Sequence, residues 1–285
     1  MGTMVALRKI LVADDSSTVR TAFCQAIEQI DQTIEIIQAK DGVETAAALA
    51  NHVVDMAFID VNMPGMSGIE ALELARKAGV DTFVVLMSGH FDPQLISQAK
   101  RFHAYDYLKK PFQFDEIKRL LSYQQRIRHQ KSLLVVDDSK VVRRVVFKVL
   151  NESQFSLNSS EADSGEQAIQ LCRSIPYDII FMDYHMPGFD GLRGAREVMK
   201  ILPKAKIILM SADGSDQVIE KARTNGLAGF MKKPFYPDDV DMILHEIMGL
   251  KPPSIGKEAI LFPQKEVSAP AAKEANAEDD DAFLI

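Results

Sequence analysis

The stretch KILVADDS at residues 9–16 decides the fold, because it returns as SLLVVDDS at residues 132–139, 123 positions later. Each begins with a mostly apolar run and closes on two aspartates and a serine. At the same offset Asp60 falls on Asp183, Met63-Pro64-Gly65 on Met186-Pro187-Gly188, and Gly68 on Gly191. Ser88 falls on Ser211, and Lys109-Lys110-Pro111-Phe112 on Lys232-Lys233-Pro234-Phe235. The remaining columns mostly differ. A repeat that keeps its carboxylates, a hydroxyl and a lysine while its apolar residues drift points to a shared site and not to a shared core alone.

Working outward, short apolar runs predict strands over 9–13, 34–39, 56–59, 83–87 and 105–108 in the first copy. In the second copy the runs are 133–136, 155–161, 179–182, 206–210 and 228–231. Several, such as Val84-Val85-Leu86-Met87 and Ile207-Ile208-Leu209-Met210, are apolar throughout, the pattern of strands buried on both faces of a parallel sheet. Between them lie segments with helical spacing, for example Val19, Ala22, Phe23, Ala26, Ile27 and Ile30. Strand–helix alternation repeated five times predicts βαβ units with right-handed crossovers, hence two α/β domains of (βα)5 type over residues 8–128 and 131–249. At about 120 residues each is large enough to bury its own core. The segment 114–130 reads as one helix, with Ile117, Leu120, Leu121 and Ile127 on one side, and it meets the next strand without a Gly/Pro/Ser stretch. A stiff junction is predicted. The basic residues Arg126, Arg128, His129 and Lys131 read as a solvated helix end suited to the macrodipole rather than as a nucleic-acid patch.

Composition narrows the function classes. With Lys+Arg 33 against Asp+Glu 40 the 285-residue chain carries −7, which argues against a nucleic-acid coat, and 47% hydrophobic with 26% charged residues suits a soluble globular protein. Cys24 and Cys172 form no CxxC pair, so a reducing compartment and no thiolate metal site are expected. No secretion signal and no run of about 20 apolar residues occurs, so a cytoplasmic protein without membrane contact is expected. Residues 250–285 hold four prolines, and from 251 onward four lysines against seven acids, predicting a disordered acidic C-terminal tail. Its apolar islands at 259–262 and 282–285 suit a passive tail and a docking tail equally. The six histidines lack metal-ligand spacing and read as surface or cap residues.

In an open parallel sheet, ligands gather at the carboxyl ends of the strands. Asp14 and Asp15 close the first predicted strand, Asp60 the third and Ser88 the fourth, and Lys110 follows the fifth. Asp137, Asp138, Asp183, Ser211 and Lys233 repeat the set. Turn and cap preferences account for any one of these, Ser16 and Ser139 included, but not for matched positions in both copies. Three convergent carboxylates repel one another and suit Mg²⁺, a hard ion that leaves room for phosphate oxygens. A lysine adds compact positive charge and a serine can donate to a phosphoryl oxygen. Together these describe an aspartate that accepts a phosphoryl group.

Both copies resemble the receiver domains of two-component response regulators, through the paired acids, the Asp with Met-Pro-Gly and Gly, the Ser before a small residue, and Lys-Pro-Phe. The resemblance implies a flavodoxin-like doubly wound sheet of strand order 2-1-3-4-5. It implies Asp60 and Asp183 as phosphoacceptors. Asp15 and Asp138 become direct Mg²⁺ ligands, Asp14 and Asp137 assist through water, and the carbonyls of Asn62 and His185 complete the coordination. Lys110 and Lys233 contact phosphate, Ser88 and Ser211 are the switch hydroxyls, and Tyr107 and Phe230 the switch aromatics. It further implies a histidine kinase or histidine phosphotransfer protein as donor. A downstream protein partner, or a homodimer, would use the face of the fourth helix, fifth strand and fifth helix.

The rivals are weaker. Haloacid-dehalogenase-type phosphohydrolases resemble D-x-D-x-T, whereas these acids are adjacent; no GxxxxGK[ST] or GxGxxG follows a strand. The 36 residues after Gly249 show no helix-turn-helix pattern, so a non-enzymatic signalling protein without DNA contact is expected, with a phosphorelay intermediate or phosphate sink as the alternative. The copies differ beside the acceptor, where Tyr184-His185 replaces Val61-Asn62. A larger ring at the rim alters water access. The acyl-phosphate lifetimes of Asp60→Asn and Asp183→Asn variants, followed by loss of label, are therefore expected to differ; equal half-lives would remove the idea.

Overall fold

The computed structural model describes residues 8–253. Burial along each strand separates the centre of a sheet from its edge. In the first half β1 (Lys9–Ala13), β3 (Met56–Asp60) and β4 (Phe83–Ser88) are buried almost throughout. β2 (Glu35–Ala39) and β5 (Asp106–Lys109) expose part of their length. The sheet order β2-β1-β3-β4-β5, parallel throughout, puts the apolar strands inside and the more polar ones at the edges, where unpaired backbone meets solvent. Helices α1 (Ser17–Ile30), α2 (Gly42–Asn51), α3 (Gly68–Lys77), α4 (Pro93–Arg101) and α5 (Phe114–Arg128) make the crossovers. Their starts are capped locally: Ser16 accepts from the Val19 amide, Asp41 from Glu44, and Ser67 and Glu70 form a reciprocal box.

The second half repeats this with β6 (Lys131–Val136), β7 (Leu157–Ala162), β8 (Ile179–Asp183), β11 (Lys206–Ser211) and β12 (Gly229–Lys232) in the order β7-β6-β8-β11-β12. Its helices are α6 (Lys140–Asn151), α7 (Gly165–Ser174), α8 (Gly191–Ile201), α9 (Asp216–Thr224) and α10 (Pro237–Ile247). Both halves therefore have the doubly wound topology expected. Sequence reading had no sign of the small antiparallel ladder between β9 (His185–Met186) and β10 (Phe189–Asp190). Strand ends also shift. β3, β4, β8 and β11 each run one residue further, through Asp60, Ser88, Asp183 and Ser211, because a backbone ladder is indifferent to the polarity at which an apolar count stops. No helix among the described residues is long and apolar enough to cross a membrane. The tail expectation falls outside the described residues, apart from 250–253, whose first two are not disordered: Leu250 is buried in the core with its amide on His245 O at 2.7 Å, and the Lys251 amide donates to the Tyr123 hydroxyl.

The two halves share a core. Only His129 and Gln130 separate α5 from β6, and one apolar cluster runs from Phe58, Val85 and Tyr105 through Ile127 to Leu133, Phe155 and Leu244. Ser156 N donates to Ile127 O at 3.0 Å, and Lys251 N to the Tyr123 hydroxyl at 3.0 Å. The basic helix end is not simply solvated: Arg126 donates to the Met248 carbonyl and Arg128 to the Asp81 carboxylate at 2.8 Å. His245 is likewise no surface residue. It is fully buried, with Nε2 3.0 Å from the Tyr105 hydroxyl, Nδ1 2.6 Å from Asp241 O, and the Phe155 ring edge-on to it. A carbonyl only accepts, so Nδ1 carries the proton and Nε2 accepts from Tyr105, whose phenol burial keeps protonated.

Burial lowers the His245 pKa from 6.5 to about 4. The unfolded chain takes up that proton near the ordinary value and the folded chain only near 4, so stability attributable to His245 is full above about 6.5 and lost as pH falls toward 4. The loss reaches about 3 kcal/mol. Asp241, raised to about 6 by burial, works in the opposite sense over much of this range, so total stability hides the effect. The difference in urea stability between wild type and His245→Gln is expected to move against wild type by about 2–3 kcal/mol between pH 6.5 and 4. A difference constant with pH would refute it.

Candidate functional site

Parallel strands end together, and their last residues are the ones the sequence repeat retained. Asp14 follows β1, Asp60 closes β3, Ser88 closes β4 and Lys110 follows β5. The Asp14 amide donates to Ala39 O at 3.1 Å, which fixes its backbone against β2. One carboxylate oxygen of Asp14 accepts from the Ser16 amide at 3.0 Å and the other from Lys110 Nζ at 2.5 Å. The same ammonium lies 2.9 Å from Asp60 Oδ1. Lys110 is held by its own backbone, whose amide donates to Ser88 O at 2.8 Å. The second half reproduces each contact: Asp137 accepts from Ser139 N at 2.9 Å and from Lys233, Lys233 lies 2.8 Å from Asp183 Oδ1, and Lys233 N donates to Ser211 O at 2.8 Å. Both Lys–Pro peptides are cis.

The acids divide by exposure. Asp14, Asp60, Asp137 and Asp183 are buried, whereas Asp15 and Asp138 stand exposed at the mouth. In each half one oxygen from every member of the trio lies within 4.8 Å of the others, and these are the two such groups among the described residues. Burial raises the Asp60 carboxyl pKa; the Lys110 hydrogen bond opposes that and the charge of Asp14 adds to it. Asp183 is raised for the same reason, with Lys233 opposing and Asp137 and Asp138 adding. Burial works against the Lys110 and Lys233 ammonium groups, but their hydrogen bonds to the carboxylates win and hold both above the ordinary lysine range. Oxygen donors alone, with one acid open to solvent and no thiolate or imidazole among them, fit a hard divalent cation that keeps water. Asn62 and His185 follow the strand-ending acids by two residues.

The serines are buried beside the acids. Ser88 Oγ donates to His90 O at 2.7 Å, and Ser211 Oγ accepts from Asp213 N at 3.1 Å. The predicted switch rings differ between halves: Tyr107 is half-buried and stacked on Phe91 with centroids 4.2 Å apart, whereas Phe230 is 2% exposed inside the core. The rims differ too. Tyr184 packs against His185 and its hydroxyl accepts from Lys221 at 3.5 Å, forming one wall of a cavity that reaches Asp138. Sequence reading passed over Arg20 and Arg143, which also stand 123 apart and bond the backbone carbonyls of the paired acids. The offset itself was the signal that would have found them.

The motif glycines serve the acids' backbone. Gly65 and Gly188 take φ of +75° and +69°, a turn that side chains resist. A Cβ on Gly68 would lie 2.1 Å from Asp60 O, and one on Gly191 2.0 Å from Asp183 O, so α3 and α8 approach the strand ends as closely as a bare backbone allows.

Residues 10–122 and 133–245 each match the family described as the response regulator receiver domain. A chemotaxis protein CheY of Thermotoga maritima is 32% identical over 117 residues, 41% of this chain and 97% of that protein. Protein CcdB of Bacillus subtilis matches with the same identity and coverage. The response regulator UvrY of Escherichia coli K12 is 30% identical over 109 residues, which is 38% of this chain and 50% of that protein. A solved two-component system response regulator/GGDEF domain protein aligns with 85% of this chain and 99% of its own at 22% identity and TM-score 0.59, a likeness of fold.

Gly68→Ala and Gly191→Ala push a methyl into backbone that cannot rotate away. Each is expected to destabilise by about 1–3 kcal/mol or more in urea unfolding. Gly89→Ala, beside the same site but with nothing within 4 Å of a new Cβ, is expected to be neutral or slightly stabilising. Equal effects at Gly68 and Gly89 would disprove the close-approach argument.

Proposed function

The chain belongs to the response regulator receiver domain family, in which it holds two tandem copies, and from that premise we propose that Asp60 and Asp183 each accept a phosphoryl group from a histidine kinase or phosphotransfer protein. The observation that carries this reading is the duplicated geometry: a buried carboxylate closing a central strand, with a lysine ammonium 2.9 Å or 2.8 Å away and two further acids in reach. Asp14 and Asp137 are poor candidates, being at most 1% exposed with both oxygens engaged. Asp15 and Asp138 stand at the mouth as ligands. In the reaction a carboxylate oxygen of Asp60 or Asp183 forms a bond to phosphorus, the donor's P–N bond breaks, and its imidazole leaves with the electron pair and takes a proton.

Asp15 and Asp60 together with Asp14, and Asp138 and Asp183 together with Asp137, would hold Mg²⁺, which would supply charge neutralisation for the incoming phosphoryl oxygens. Lys110 and Lys233 supply the rest of the positive charge as compact point donors, already desolvated and oriented. Ser88, on leaving the His90 carbonyl, donates to a phosphoryl oxygen and vacates space toward which Tyr107 turns. Added charge of about −2 at a buried site is what drives that exchange of partners. In the second half Phe230 already lies inward and has no hydroxyl, so output through a phenol hydrogen bond belongs to the first half.

Protein contacts carry the signal in this reading, and the phosphoryl group stays on the protein instead of being turned over as by a phosphohydrolase. A cytoplasmic site of action is part of the proposal, supported by the acidic composition and unpaired cysteines. A homodimer through the whole α4–β5–α5 face of the first half requires the contacts of Tyr105, Tyr123 and Arg126 with residues 245–251 to open. Unequal rims and unequal switch rings favour a division of labour, in which one half signals and the other relays or drains phosphoryl groups.

Intact-mass measurement after acetyl phosphate and Mg²⁺ tests the reading. Wild type is expected to gain up to two increments of about 80 Da, Asp60→Asn and Asp183→Asn at most one each, and the double variant none. Two increments on either single variant would move the acceptor elsewhere.

A further inference from the structure

Each acidic pair rests on a guanidinium. Arg20 Nη1 donates to Asp14 O at 2.8 Å and to Asp15 O at 3.3 Å; Arg143 Nη1 donates to Asp137 O at 2.8 Å and to Asp138 O at 3.4 Å. The third partner also repeats at the 123-residue offset, but with changed chemistry. Arg20 Nε donates to the neutral Gln38 amide oxygen at 3.3 Å in an exposed setting. Arg143 Nε meets the Glu161 carboxylate at 2.8 Å, and Arg143 is only 7% exposed. Neither arginine touches a carboxylate of the acidic trio.

We infer that Arg20 and Arg143 are positioning residues for the metal site, straddling the peptide between the paired acids and so fixing which acid points inward and which stands at the mouth. This rests on the reading of the trio as a cation site. The physical case is simple. Asp14 and Asp15 are successive residues at a strand end whose side chains must diverge, one wholly buried and one exposed, while both serve one ion. The β1–β2 ladder ends at the Asp14 amide, so the carbonyls beyond it have no strand partner to hold them. A guanidinium whose Nη1 donates to both carbonyls while its Nε is held by Gln38 or Glu161 supplies that restraint. The second half is the tighter version, because its arginine is anchored in turn by a carboxylate.

The test reads Mg²⁺ affinity in the full-length chain by NMR, with the Ser16 and Ser139 amides, which donate to Asp14 and Asp137, as separate reporters of the two halves. Arg143→Gln is expected to weaken Mg²⁺ binding at the Ser139 reporter about tenfold, leaving the Ser16 midpoint within about twofold. Arg20→Gln does the reverse with a smaller loss. Arg143→Lys, which keeps the charge but has no second nitrogen to anchor on Glu161, is expected to stay near the Gln variant. Glu161→Gln, which installs the chemistry of the first half at a half-exposed position that folding tolerates, is expected to cost about two- to threefold. Mg²⁺ midpoints unchanged in both Arg→Gln variants, whatever their loss of thermal stability, would overturn the inference and leave the arginines as struts. Full recovery by Arg143→Lys would overturn the two-nitrogen anchorage in favour of charge alone. Failure of the wild type to bind Mg²⁺ at either reporter would instead overturn the metal reading beneath it.

Discussion

A lysine ammonium shared between two buried carboxylates is the interaction on which each half of this protein depends. Carboxylates removed from water cost several kcal/mol apiece unless paired, and three acids at adjoining strand ends compound the cost. Lys110 offsets it for Asp14 and Asp60, and Lys233 for Asp137 and Asp183. Everything nearby serves to bring those partners together from nearly a hundred residues apart. The strand order sets β1 beside β3, the carbonyls of Ser88 and Ser211 hold the lysine amides, and Gly68 and Gly191 let a helix start against the carbonyl of Asp60 or Asp183. The pairing is also incomplete: an exposed third acid leaves net negative charge at a solvent mouth, which suits a hard divalent cation.

The halves are joined more intimately than two repeats need be. α5 gives one side to its own sheet and, through Ile127 and Tyr123, another to the second half, so one apolar cluster spans both. His245 sits in that cluster with both ring nitrogens committed, one within α10 and one across to Tyr105, two residues before Tyr107. An interface of this kind resists sliding because a displaced imidazole would leave a buried phenol and a buried ring nitrogen unpaired. Changes around Tyr107 are therefore mechanically adjacent to the second half.

The two halves keep the same acids, serine and lysine and differ in what surrounds them. The first half keeps a half-exposed Tyr107 on Phe91, Val61 and Asn62 beside Asp60 and a loosely anchored Arg20. The second has a buried Phe230, a Tyr184–His185 rim tied toward α9, a short β9–β10 ladder and an arginine locked by Glu161. The same set of side chains is thus held in one more open and one more tightly tied frame.

Much of this was readable from residues alone. Period and polarity located the strands to within a residue or two, since a buried parallel strand has to be apolar throughout. The 123-residue offset singled out the acids, serines and lysines, because polar groups that must meet at one site tolerate less drift than packing groups. What sequence could not supply was pairing across the chain. His245 looked like one of six unremarkable histidines, since nothing local marks a side chain whose partners are Tyr105 and Phe155. The basic end of α5 looked solvated, since its acceptors lie at Asp81 and Met248. Arg20 and Arg143 share the 123-residue offset, but their role was hidden for a related reason: they act on backbone carbonyls, and a carbonyl leaves no trace in the identity of the residue that carries it. Chemistry carried by side-chain type is written in the sequence, whereas chemistry that depends on which backbone atom or which distant ring lies 3 Å away exists only once the chain has folded.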